Sequence, residues 1–209
     1  MQALAPTYIT EDEYWKMEQA ALTKHEYFNG QIYAMAGASP VHNIIAMNAG
    51  ASLTSQLKGK KCRAVGSDQL VKVEETGLQT YPDIVVYCPP ARFDAKRPDT
   101  LLEPAVLIEV LSPSTADYDR TDKFDHYKKI ATLGDYLLIA QDKRRVEHFH
   151  RDENNQWILQ TATQNNEAIS LQNIGCELKI EDVYDGTDLP PALDLLRAPI
   201  EDALTQDAS

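Results

Sequence analysis

The chain has 209 residues, 43% of them hydrophobic and 25% charged, with a formal net charge of −12. That length buries a sizeable core without staples, and the balance excludes disordered and fibrous classes. The acidic excess argues against a strong nonspecific nucleic-acid binder, which would hold phosphates through a basic surface.

The opening MQALAPTYITEDEYW lacks the basic start and long apolar block of a secretory leader. No apolar run approaches a membrane span, so a cytoplasmic protein with no membrane partner is expected. Thr10 to Glu13 reads as a capping box, predicting a helix to about Ala21. HEYFNGQIYAM follows as two strands around Asn29 and Gly30, a pair that tolerates a tight hairpin turn. Ser39 and Pro40 form an N-cap and first helical residue, opening a helix that stops near Gly59. Its small residues Ala46, Ala49, Gly50 and Ser52 allow close approach to a sheet.

Strands are predicted over 62–73, 83–87 and 105–111, the last apolar on both faces except for Glu109. The turn from Ser112 to Thr115 caps a helix over 117–134; LSPST lacks the glycine elbow of a serine nucleophile. DYLLIAQD reads as a buried strand, RVEHFHRD and QWILQTAT as a hairpin, and CELKIEDVY as a further short strand. The order predicts an α/β fold, α+β by stricter usage: a mixed sheet with helices on its faces. Residues 1–188 are expected to form one domain and 189–209 a C-terminal arm. In that arm Leu193, Leu195, Leu196, Ile200 and Leu204 would pack back or offer a contact surface.

Cys62, Cys88 and Cys176 are few, odd in number and far apart, so buried thiols are expected rather than a disulfide framework or zinc site. His148 and His150 share one face of a strand and, without a third ligand, read as solvated. The basic runs Lys58, Lys60, Lys61, Arg63 and Lys143, Arg144, Arg145 read as solvated turns.

Two acids stand apart from this pattern. Asp83 sits at the mouth of one buried strand and Glu109 near the end of another, and sequential strands usually neighbour each other. Converging carboxylates would raise each other's pKa, whereas a divalent cation keeps both ionised. Magnesium suits such oxygen donors best, with manganese a second choice. Phosphodiester cleavage needs that ion to activate water and neutralise the phosphate, and a lysine to orient the water. Leu111 occupies the obvious lysine position after Glu109. Lys123 shares a helical stripe with Tyr127 and Ile130, so its stem can reach inward. Bland alternatives exist: Asp83 as a turn cap, Glu109 paired with a buried arginine, and Lys123 with Asp119 as a surface pair.

HEYFNGQIYAMAGAS with His42 after it, YPDIVVYC, LIEVLSPST, DYDRTDKFDHYKK and GDYLLIAQDKRRVEHF, as an ordered set from about Tyr8 to Tyr184, resemble the Uma2 family of restriction-endonuclease-like proteins. That family is a branch of the PD-(D/E)XK nuclease superfamily. The resemblance implies a restriction-endonuclease-like core and a magnesium-dependent phosphodiester hydrolase acting on DNA. By the family's pattern Pro82 and Asp83 match its first element and Glu109 the acidic residue of its second. The lysine, displaced to the following helix, falls on Lys123, and Glu26 matches an acidic residue near the N-terminus. Asp83 and Glu109 would then ligate the metal with the Val110 carbonyl. Lys123 would position the water, and Glu26 would hold a second ion or its waters. Double-strand cutting calls for two sites and hence a homodimer. The competing expectation is a catalytically inactive dimeric scaffold of the same fold, which the acidic balance favours. A glycosidase built on the carboxylate pair would leave Lys123 idle.

Overall fold

Thr10 caps α1 (Glu11–Ala20) as its sequence demands: the Glu13 N–H donates to the Thr10 hydroxyl, and the Glu13 carboxylate accepts from the Thr10 N–H at 2.8 Å. The computed structural model describes residues 8–35, 37–164 and 166–192. Strands β1 (His25–Phe28) and β2 (Gln31–Ala34) pair antiparallel. Asn29 and Gly30 between them have φ of 47° and 75°, the left-handed pair that a two-residue hairpin turn requires. The Ser39 hydroxyl accepts from the His42 N–H and Pro40 is the first residue of α2 (Pro40–Leu57).

The middle of the chain continues as β3 (Arg63–Gly66), β4 (Leu70–Lys72), β5 (Gln79–Thr80), β6 (Ile84–Tyr87), β7 (Thr100–Leu101) and β8 (Val106–Leu111). Then come helices α3 (Ala116–Arg120) and α4 (Asp122–Tyr127), and strands β9 (Asp135–Ala140), β10 (Val146–Arg151), β11 (Trp157–Ala162), β12 (Ala168–Leu171) and β13 (Cys176–Lys179), before α5 (Ile180–Val183).

Two mixed sheets result. The larger runs β11-β10-β9-β8-β6-β3, with only β8 and β9 parallel; the smaller runs β2-β1-β5-β4-β7, with only β4 and β7 parallel. One apolar core fills the space between α2, the β12–β13 hairpin and the larger sheet, through Ile45, Leu53, Ile108 and Leu178. Another lies on the opposite face, where Leu107, Tyr136 and Leu138 meet Phe124 of α4 and Val71 of the smaller sheet. Strand β8 is buried along its whole length because both faces are covered. Ala49 is fully buried on α2, as expected of a helix seated closely on a sheet. Among the described residues, no helix is long and apolar enough to cross a membrane.

Several expectations are corrected. The run 62–73 is not one strand: the chain turns after Gly66, sending β3 to the larger sheet and β4 to the smaller. The helix expected over 117–134 is two short helices ending at Tyr127. It breaks at Thr121 (φ −115°, ψ −95°), whose hydroxyl donates to the Asp117 carbonyl, the kind of local bond that bends helices. The predicted strand CELKIEDVY becomes helical from Ile180.

Cys62 and Cys88 are not free thiols but a disulfide, leaving Cys176 as the buried thiol. Arg63 pairs with Tyr87 in the antiparallel register, so the two cysteines are the next facing pair despite their separation in sequence. His148 is not solvated either. It is 2% exposed, with Nε2 2.7 Å from Asp135 Oδ1, because the β12–β13 side covers that face. The C-terminal arm is described only through Ala192; Leu193, Leu195, Leu196, Ile200 and Leu204 lie outside the described residues.

Candidate active site

Continuing the β6–β8 pairing of Ile84 with Ile108 by one residue sets Asp83 opposite Glu109. Asp83 Oδ2 accepts from the Val110 N–H at 2.7 Å, tying the strand mouth to its neighbour. It also stands 3.2 Å from Nε2 of His42, in the first turn of α2. The Asp83 hydrogen bond holds the His42 imidazolium above its usual pKa, against the opposing pull of burial.

Lys123 comes from α4 on the other side. Its Nζ lies 2.8 Å from Glu26 Oε1, 3.0 Å from Glu109 Oε1 and 3.5 Å from Asp119 Oδ1. Lys123, Glu109 and Asp119 are all about 5% exposed, so the Asp119–Lys123 pair is internal, not a surface pair. The helix break at Thr121 leaves both side chains facing the strand end. The Tyr127 hydroxyl, one turn beyond Lys123, donates to Glu109 Oε1 at 2.9 Å, and the Thr80 hydroxyl donates to Glu26 Oε1.

The charges are unequal: Glu26, Asp83, Glu109 and Asp119 surround one lysine and one histidine. Burial, with Asp119 and Asp83 adding repulsion, outweighs Lys123 and pushes Glu109 up to about 8. Burial likewise raises Asp119, with Lys123 opposing it. Burial opposes the charge on Lys123, yet Glu109, Glu26 and Asp119 together hold it well above the ordinary lysine range.

Would the donors suit a divalent ion? Asp83 Oδ1, Glu109 Oε2 and Glu26 Oε2 accept no hydrogen bond from the described residues, so each carboxylate keeps an oxygen uncommitted. Among the described residues no three His, Cys, Asp or Glu side chains form a ready metal cage. Magnesium does not require one, since it is usually held by one or two carboxylates and completed by water and phosphate. The donor set fits.

His42, Asp119, Tyr127 and Thr80 join the site only in the folded structure. Asp119 and Tyr127 were visible as neighbours of Lys123 at helical spacing. His42 carried only its place in the first turn of α2, and Thr80 carried no signal.

Comparison with known proteins gives a consistent picture. The family model described as "Uma2: Putative restriction endonuclease" matches residues 11–181. Two Synechocystis sp. proteins, "Uncharacterized protein slr1290" and "Uncharacterized protein sll1609", are 33% and 34% identical over 178 and 160 residues. The alignments span 85% and 76% of this chain and 92% and 90% of theirs. The crystal structure of "a putative nuclease belonging to DUF820" from Anabaena variabilis superposes with a TM-score of 0.69 at 22% identity. It covers 84% of this chain and 97% of its own, a likeness that speaks to the fold.

Proposed function

The chain belongs to the Uma2 family, and on that premise we propose that it is a magnesium-dependent endonuclease hydrolysing phosphodiester bonds of DNA. The observation that carries the reading is a single buried ammonium, Lys123, among Glu26, Glu109 and Asp119, with Asp83 facing Glu109 across two adjacent strands.

In this reading Asp83 and Glu109, with the Val110 carbonyl, would hold the ion, and Glu26 would support its waters or a second ion. Once bound, magnesium supplies phosphate neutralisation and an acidified water. The Val110 N–H and His42 orient the Asp83 carboxylate. The Tyr127 phenol, kept protonated by burial and by Glu109, fixes Glu109 Oε1. Lys123 keeps its proton, so it orients the attacking water and offsets developing charge rather than acting as a base.

A homodimer would present two such sites to a duplex. The second reading, a catalytically silent dimeric binding protein, is favoured by the net charge of −12, which repels phosphates. Titrating magnesium or manganese into the parent and the Glu109→Gln variant, alongside plasmid cleavage, separates the two. Carboxylate-dependent ion binding with cleavage supports the nuclease; ion binding indifferent to Glu109 and no cleavage supports the scaffold.

A further inference from the structure

The sheet face that carries Glu109 carries a second charged group two strands away. Leu138 pairs with Glu109 on one side and with Glu147 on the other, which puts Glu147 in line with Glu109 at about 10 Å, two strand spacings. Glu147 is 6% exposed and held bidentately by one edge of Arg120, with Nε 3.0 Å from Oε2 and Nη2 3.1 Å from Oε1. Arg120 Nη1 also donates to the Ala116 carbonyl. That guanidinium commits three of its donors to the protein, fastening α3 to β10.

Arg145 differs. Its Nε lies 3.1 Å from Glu147 Oε1 without making a hydrogen bond, its side chain is 39% exposed, and its terminal nitrogens make no hydrogen bond to any described residue. The Ala140 N–H donates to the Arg145 carbonyl, and Ala140 pairs with Leu111. Arg145 therefore stands level with the end of β8, just past Glu109. One carboxylate between two guanidiniums gives the triad itself a charge of +1, with Asp117 and Asp119 acting on its Arg120 side, and the terminal edge of Arg145 has the fork geometry that phosphate oxygens accept.

We infer that Arg145, paired electrostatically with Glu147, binds a backbone phosphate flanking the scissile one on the DNA strand. Two strands across and two residues along from Glu109, Arg145 stands about 12 Å away, and at ~3.4 Å of axial rise per phosphate it meets the strand within a few nucleotides of the cut. The inference rests on the nuclease reading for its choice of ligand. A clamp between α3 and β10 needs only Arg120 and Glu147, so it does not account for the third partner.

The test is fluorescence anisotropy of a labelled DNA duplex with the full chain in EDTA, across a series of KCl concentrations. Arg145→Gln should weaken binding about tenfold and lower the slope of log affinity against log salt by about 1, with unchanged thermal unfolding. Arg145→Lys should keep the slope. Lys179→Gln, which removes the same charge from an exposed position on β13, should leave the slope at the parent value. An Arg145→Gln slope equal to that of the parent or of Lys179→Gln overturns the assignment, as does a parent that binds no duplex at low salt. Magnesium-dependent cleavage with an unchanged Arg145→Gln slope would remove the arginine site alone. A lost slope in a parent that cuts nothing would support the arginine site and count against the nuclease.

Discussion

Lys123 and Glu109 meet at 3.0 Å from a helix and a strand, both side chains almost wholly buried. Such a pair recovers its desolvation cost only when further partners satisfy it, and here Glu26, Asp119 and Tyr127 do so.

Asp83→Asn should abolish magnesium-dependent cleavage of plasmid while the protein stays folded, because the amide oxygen can still accept the Val110 N–H. Cleavage at the parental rate would remove Asp83 from the mechanism. Circular dichroism of the same sample checks the fold.

Lys123→Ala leaves two buried carboxylates, Glu109 and Asp119, and the half-buried Glu26 without their cation. Removing one partner of a buried pair costs about 3–5 kcal/mol, which lowers Tm by roughly 10 °C in a chain of this size. Turnover should fall at least ~100-fold, while magnesium affinity, measured by calorimetry, is retained or tightened. Lost ion affinity would give Lys123 a structural role.

Burial pushes Glu109 up to about 8 in the metal-free fold against an ordinary 4.5. The raised value means that the fold favours the protonated acid. Its contribution is complete below about pH 4.5 and is lost as pH rises through 8, several kcal/mol at ~1.4 kcal/mol per unit. Thermal unfolding in EDTA should therefore show the parent losing stability from pH 5 to pH 8.5 relative to Glu109→Gln. Magnesium should restore the parent at pH 8.5 but not the variant. Parallel curves for the two proteins would contradict this assignment.

His42→Ala removes one of two groups orienting Asp83 Oδ2. Cleavage should drop roughly tenfold, within the range of a lost positioning contact, and His42→Gln should recover part of it. Equal rates for both variants and the parent would show that the Val110 N–H alone suffices.

Elements set by neighbouring residues were legible in the sequence: the Thr10–Glu13 capping box, the Asn29–Gly30 turn, and the Ser39–Pro40 start of α2. What depended on distant partners was not. The Cys62–Cys88 bond needs the β3–β6 register, and the burial of His148 needs the cover on its face. For the candidate site, buried strands made Asp83 and Glu109 conspicuous, and helical spacing turned Lys123 inward. His42 reaches Asp83 only because α2 lies across the larger sheet with its first turn over the mouth of β6, an orientation that no local pattern encodes.

The facing of Asp83 and Glu109 makes the β6–β8 pairing a ruler. A slip of one residue would turn the whole of β6 over and carry its acid to the wrong side. Uncharged side chains such as Val85 and Leu107, which face each other in that pairing, thus set the spacing of the acids without joining them. A core substitution at Val85 or Leu107 therefore displaces the acids without removing a charge.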